Sequence, residues 1–197
     1  MFVTQLAQAL QNYLYQTSPV RWQISQSPQP QVAAVLLALF WQQGEWHLPF
    51  ILRNTYAGVH SGQIGFPGGR QDAADEDLIA TALRETLEEI GVQVCRSQVI
   101  GRLHELYVPP SHTIVHPIVA VLPAPPVFSP NPREVAEVFT LSISYLRRPD
   151  IKGMRAVTLP NGATAPFTTF RTPANGEIWG ATARMLSEFL AATAPIL

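Results

Sequence analysis

Residues 66–92 read FPGGRQDAADEDLIATALRETLEEIGV. The run through Ile90 has the apolar spacing of a helix, and Gly91 follows it where a left-handed cap is expected. Asp75 is placed to cap the helix start, and Asp75, Glu76 and Asp77 all suit the positive end of its dipole. Further along the dipole has faded, yet Glu85, Glu88 and Glu89 follow one another closely. At about 100° per residue, Glu88 lies roughly 60° to one side of Glu85 and Glu89 roughly 40° to the other. Ile79, Leu83, Thr86, Leu87 and Ile90 gather opposite this arc and are expected to face the core.

Like charges at this spacing repel, so a helix with no other task would mix the signs. Two readings stand. The arc is a solvated acidic face, eased by an Arg84–Glu88 pair at i, i+4. Alternatively it holds a hard divalent cation, Mg2+ or Mn2+, which takes carboxylate oxygens together with waters and substrate phosphates. The helix carries no Cys or His, which argues against softer metals. Phe66-Pro67-Gly68-Gly69 just upstream is a tight turn that would bring backbone N–H groups beside the arc. Turn and helix together frame a metal-bridged diphosphate.

The 197 residues suffice for one domain over 1–197 with a helix at about 2–15 preceding the core, and no linker interrupts it. Net charge is −1 and only 14% of residues are charged, so the chain lacks the basic footprint of a partner for a nucleic-acid duplex. A nucleotide-sized ligand needs only a few local cations. The single cysteine, Cys95, excludes an intrachain disulfide and reads as a small buried residue. No apolar run reaches the roughly 18 residues of a bilayer span, so no membrane partner is expected. The N-terminus lacks the features of a signal peptide, and the expectation is a soluble cytoplasmic protein. A homodimer is compatible with the sequence.

Leu6, Leu10 and Leu14 give the first helix its apolar side, and a Gln- and Pro-rich loop follows over 16–31. Val32–Trp41 reads as a buried strand, and Trp46–Arg53 as its hairpin partner, with Pro49 limiting where it pairs. Trp41 and Trp46 are assigned to core or hairpin packing. Val99–Val108, Thr113–Leu122 and the run from Glu134 are further strands, and Pro123–Pro132 is a stiff loop. A short helix at Ser142–Arg148, a hairpin around Pro160-Asn161-Gly162 and a C-terminal helix with Leu186, Phe189 and Leu190 inward complete the order. The pattern predicts an α/β (α+β) fold with helices layered around a mixed sheet.

These residues together resemble the Nudix hydrolase box: Gly, five residues, Glu, seven residues, then Arg-Glu-aliphatic-x-Glu-Glu-x-Gly-aliphatic. Gly69 opens it, and Arg84-Glu85-Thr86-Leu87-Glu88-Glu89-Ile90-Gly91-Val92 closes it. Thr86 stands in an aliphatic position. Counted from Gly69 the first acidic position is Asp75, and counted from Arg84 it is Glu76, so this loop is one residue longer than the pattern. Upstream, Arg53, Gly62 and Phe66-Pro67-Gly68-Gly69 are similar to the segment before the box in coenzyme A pyrophosphatases. Asn54 and Gly58 depart from it, Gly58 standing where a second Arg is usual. SHTIVHPIVAVL, NPREVAEVF and IWGATARML downstream are similar to the same subgroup.

The resemblance implies a Nudix-type α/β/α sandwich around a mixed sheet and metal-dependent hydrolysis of a diphosphate bond. The implied substrate is coenzyme A or acyl-CoA, cut to 3′,5′-ADP and 4′-phosphopantetheine or its acyl form. Another nucleoside diphosphate derivative, such as ADP-ribose or a dinucleotide, is the alternative, followed by a domain that binds a nucleotide without cleaving it. Glu85, Glu88 and Glu89 are the expected Mg2+ or Mn2+ ligands, and Arg84 orients a carboxylate, either Glu88 or Asp75/Glu76. Glu134 is a candidate general base. Arg53, His60, Gly68 and Gly69 are the expected substrate contacts. His47, His104, His112 and His116 receive no role.

Overall fold

The computed structural model describes residues 1–18, 24, 28–55, 57–58, 60–158, 162, 164–174 and 176–197. Its centre is β1 (Gln31–Gln42), whose run VAAVLLALFW is buried on both faces from Leu36 to Phe40. Strand β7 (Thr113–Val121) lies parallel to it along Gln31–Leu39, and that parallel pairing explains the near-continuous apolar sequence. The hairpin partner β2 (Glu45–Arg53) pairs with β1 only over Phe40–Gln42, then turns away to pair with β8 (Val135–Ser142). Pro49 falls beyond the hairpin, opposite Thr140, so it interrupts no β1 ladder. Trp41 and Trp46 face each other across the hairpin, edge to face.

The edge of β1 that β2 vacates is taken by β4 (Gly68–Arg70), paired at Ala33–Val35, while β3 (Ile64–Gly65) pairs with the end of β2. The strand expected at Val99–Val108 is two strands, β5 (Val99–Arg102) and β6 (Leu106–Val108), both on β7. The break follows a register shift between Val99 and Gly101, after which the Leu103 N–H bonds the Pro117 carbonyl. A second sheet holds β9 (Lys152–Thr158), β10 (Thr164–Arg171) and β11 (Glu177–Ile178). Pro160 and Asn161 of the expected hairpin turn lie outside the described residues, as do residues 19–23 and 25–27 of the loop over 16–31.

Alternation along β1 sorts the helices into two layers. Ala34, Leu36, Ala38 and Phe40 pack with Ala82 and Ile90 of α2 (Leu78–Ile90). Leu37 and Leu39 face Leu6 and Leu10 of α1 (Phe2–Gln16) and Leu186 and Phe189 of α4 (Gly180–Ala192). The short α3 (Ile143–Leu146) follows β8. The expected α/β/α layering around a mixed sheet is therefore present. Among the described residues no helix is long and apolar enough to cross a membrane. Two expectations fail: Cys95 is exposed rather than buried, and Leu87 is 47% exposed.

Helix α1 precedes the sheet in sequence but belongs to its core. Leu10 is 1% exposed, and a Cβ added at Gly101 would meet its Cδ1 at 3.3 Å. Leu10→Ala should lower unfolding free energy by about 2–5 kcal/mol in denaturant titration. A change below about 0.5 kcal/mol, the range of a surface substitution, would mean that α1 is only an appendage.

Candidate active site

Strand β4 lies against α2 at a separation only glycine permits. Gly68 has φ +149°, and a Cβ there would sit 2.3 Å from the Ala34 carbonyl oxygen. At Gly69 a Cβ would lie 2.4 Å from the Glu85 carboxylate. The N–H of Gly68 donates to Glu89 Oε2 at 2.8 Å, and its carbonyl accepts from Arg53 Nη2 at 3.0 Å. Arg53 also lies 3.4 Å from Glu89 Oε1, closing a circuit of Gly68, Glu89 and Arg53. Only 2% of the Glu89 side chain is exposed.

The helix is therefore rotated from the orientation its apolar residues suggest. Thr81, Ala82, Thr86, Glu89 and Ile90 are buried, and Leu87 is not. Thr86 hides its hydroxyl by donating to the Ala82 carbonyl at 2.7 Å. Gly91 takes the expected left-handed cap at φ +70°. The N-cap is Asp77, which accepts the Ala80 N–H at 2.9 Å, and not Asp75.

Asp75 has another task. It accepts from Arg84 Nε and Nη2, both at 2.9 Å, and from the Thr81 hydroxyl and the Asp72 N–H. Arg84 also donates through Nη1 to Glu85 at 2.9 Å and Glu88 at 3.0 Å, and through Nη2 to the Arg70 carbonyl. The one-residue insertion is thus absorbed: Asp75 partners the arginine, while Glu76 is exposed. Arg84 gathers two of the three box glutamates, Glu85 and Glu88, and ties the helix to β4. Glu88 is the outermost of the three, with 54% of its side chain exposed.

The proline-rich loop folds back over the end of α2. Ser129 and Asn131 donate their N–H groups to the carbonyls of Ile90 and Glu89, both at 2.9 Å. Asn54 fastens the other side: its N–H donates to the Glu134 carbonyl at 3.0 Å, and its side-chain amide to the Pro132 carbonyl at 2.9 Å. Glu134 is thereby held within electrostatic reach of Glu85 and Glu89. The anchoring by Asn54 has no local sequence signal, because its partners are loop carbonyls far along the chain.

Charge crowding is visible in the titration of the site. Burial pushes the Glu89 carboxyl up to about 7; Glu85 and Glu134 push the same way against Arg53 and the Gly68 N–H. Burial also raises Glu85, opposed by Arg84 and reinforced by Glu88 and Glu134. Asp75 goes the other way, its hydrogen bonds with Arg84 holding it well below the usual carboxylate range. Among the described residues no three carboxylate, imidazole or thiol side chains converge as a metal-holding group. Glu85 and Glu88 turn to Arg84, and Glu89 turns to Gly68 and Arg53. The donor chemistry nonetheless fits a hard divalent cation, because oxygen is the only donor and the mutually repelling carboxylates lack enough positive charge.

A cleft of about 410 Å³ opens beside β4. Arg53, His60, Gly68, Gly69 and Arg70 line it, together with Val35 and Val115 of the sheet and Thr182 and Met185 of α4. All four expected substrate contacts are thus brought together. His60 has φ +67°, a strained conformation for a residue with a Cβ, and shares a 3.0 Å hydrogen bond with Gln63 Oε1. Arg70 was not foreseen as a cleft residue.

An acidic helix under a Gly-Gly strand, in an α/β/α sandwich, offers oxygen donors suited to a hard divalent cation. The NUDIX domain family matches residues 30–159, and the chain belongs to that family. It is 40% identical over 126 residues to the mitochondrial coenzyme A diphosphatase NUDT8 of Homo sapiens, covering 63% of this chain and 53% of that relative. The peroxisomal coenzyme A diphosphatase NUDT7 of Mus musculus is 34% identical over 125 residues, covering 64% and 52%. The chain thus spans about half the length of these relatives. A solved MutT/nudix family protein from Enterococcus faecalis superposes with TM-score 0.57 at 15% identity, covering 94% of this chain and 67% of that one, in agreement on the fold.

Between pH 4.5 and about 7 the folded chain holds the Glu89 proton more tightly than the unfolded chain does. Metal-free stability should therefore fall as pH rises through that window. At pH 8, Glu89→Gln should melt above the unaltered protein by the equivalent of at most about 3 kcal/mol, and the gap should vanish below pH 4.5. Added Mg2+ should raise the melting temperature of the unaltered protein but not of the variant. Equal metal shifts in both would contradict the placement of Glu89.

Proposed function

We propose that the protein is a metal-dependent hydrolase of the diphosphate bond of coenzyme A or acyl-CoA, releasing 3′,5′-ADP and 4′-phosphopantetheine or its acyl form. One observation carries this reading: Glu85 and Glu89 sit against Gly68 and Gly69, which also wall the only cleft that contains Arg53 and His60 among those described. The names of the NUDT8 and NUDT7 relatives favour coenzyme A as the substrate.

Glu85, Glu88 and Glu89 would hold Mg2+ or Mn2+. The ion, when bound, withdraws charge from the phosphoryl oxygens and acidifies water. Arg84 holds Glu85 and Glu88 together at the end of its guanidinium, and the carboxylates would turn from Arg84, Gly68 and Arg53 to receive the ion. Arg53 and His60 face the cleft and meet the substrate's phosphates. Glu134, held over the end of α2 by Asn54, accepts a proton from the attacking water. Water attacks phosphorus and a phosphate monoester leaves, with no covalent enzyme intermediate. The substrate is a small nucleotide rather than a nucleic-acid duplex. A cytoplasmic location belongs to the same reading, and the exposed thiol of Cys95 suits a reducing compartment.

Gly58 lines the cleft without offering a side chain, which favours a second reading, a Nudix hydrolase for ADP-ribose or a dinucleotide. Incubation with coenzyme A and Mg2+, followed by chromatography, should show 3′,5′-ADP and 4′-phosphopantetheine. Glu85→Gln should lower kcat by roughly 10²-fold or more. Coenzyme A left intact while ADP-ribose is consumed would select the second reading, and full activity in Glu85→Gln would remove the role of that carboxylate.

A further inference from the structure

The cleft holds two arginines in different states. Arg53 is committed, bonded to the Gly68 carbonyl and paired with Glu89. The Arg70 backbone carbonyl accepts from Arg84, but its guanidinium has no hydrogen-bond or ion-pair partner among the described residues. Register fixes where that guanidinium stands. Arg70 pairs with Ala33, and Ala33 pairs with Val115, so the three side chains share one face of the sheet. All three line the cleft. Gly69, one residue earlier, points to the opposite face, where Glu85 lies. The pleat thus turns the side-chain position of Gly69 toward the carboxylates and the Arg70 side chain toward the cleft.

A substrate diphosphate met by Arg53, and by the cation that Glu85 and Glu89 would hold, leaves Arg70 without a task. Arg70 lies two residues along the strand from Gly68, roughly 7 Å away at extended spacing. That distance suits a second anionic group on the same ligand. A planar guanidinium fork matches a phosphate monoester in two parallel hydrogen bonds.

We propose that Arg70 is a specificity-determining residue that binds a phosphate monoester of the substrate separate from the bond that is cut. In coenzyme A this group is the 3′-phosphate of the ribose. The proposal rests on the coenzyme A reading and assigns a residue to the substrate's phosphate that lies apart from the diphosphate.

The test compares coenzyme A with dephospho-coenzyme A as substrates for the unaltered protein, Arg70→Ala and Arg70→Lys. Arg70→Ala should raise KM for coenzyme A roughly 10- to 100-fold, the worth of a lost hydrogen bond to a charged group, while kcat changes less than about threefold. KM for dephospho-coenzyme A should stay within about twofold, and Arg70→Lys should recover part of the loss. Calorimetric titration with 3′,5′-ADP should show the same loss of affinity in Arg70→Ala, and 5′-AMP should not. An equal loss on both substrates, or a loss confined to kcat, would overturn the role of Arg70 while leaving the hydrolase reading in place. Failure of the unaltered protein to cleave either substrate would overturn the coenzyme A reading itself, and the 3′-phosphate assignment with it.

Discussion

The backbone of one residue, Gly68, carries the architecture of the site. Its N–H is taken by Glu89 and its carbonyl by Arg53, and the two side chains pair with each other. Gly68 can stand there because β2 leaves β1 after the hairpin and frees an edge for β4. It can present both groups outward because its φ of +149° is open to glycine alone. A buried glutamate is costly unless it is paired and hydrogen-bonded. This one has both kinds of partner, and each lies in a separate element of the fold.

The rest of the site follows from holding α2 at that depth. Once Glu89 is inside, Glu85 lies under Gly69 and Glu88 reaches the rim. Arg84 then bridges outward to Asp75, Glu85 and Glu88 and back to the Arg70 carbonyl. The stiff loop before Glu134 spends its N–H groups on the carbonyls of Glu89 and Ile90 at the end of the same helix. Negative charge is concentrated on the α2 side of β4, and an uncommitted arginine stands on the other. The strand therefore separates a place for a cation from a place for an anion.

Much of this was legible in the sequence, for stated reasons. A long apolar run marks a strand buried on both faces, and β1 is one. Glycine pairs mark close backbone approach, and Gly68 and Gly69 show it. Periodicity misjudged the inner face of α2, because it counts a glutamate as outward and a leucine as inward. Glu89 is inward because Gly68 and Arg53 satisfy it, and neither is visible from the helix's own residues. The N-cap was misplaced for a similar reason: Arg84 draws Asp75 away and leaves the cap to Asp77. Cys95 is exposed because it opens the short turn Arg96–Gln98 rather than a core segment. Arg70 escaped notice because its value depends on a cross-strand register that no local pattern encodes.

The claim on which the account turns is that this buried, mutually repelling set of carboxylates exists to receive a divalent cation. Anomalous diffraction from crystals soaked in Mn2+, with and without coenzyme A, addresses it most directly. The account predicts a manganese peak bounded by Glu85 and Glu89 next to the Gly68–Gly69 strand. A peak elsewhere, or none at that position under either condition, would contradict it.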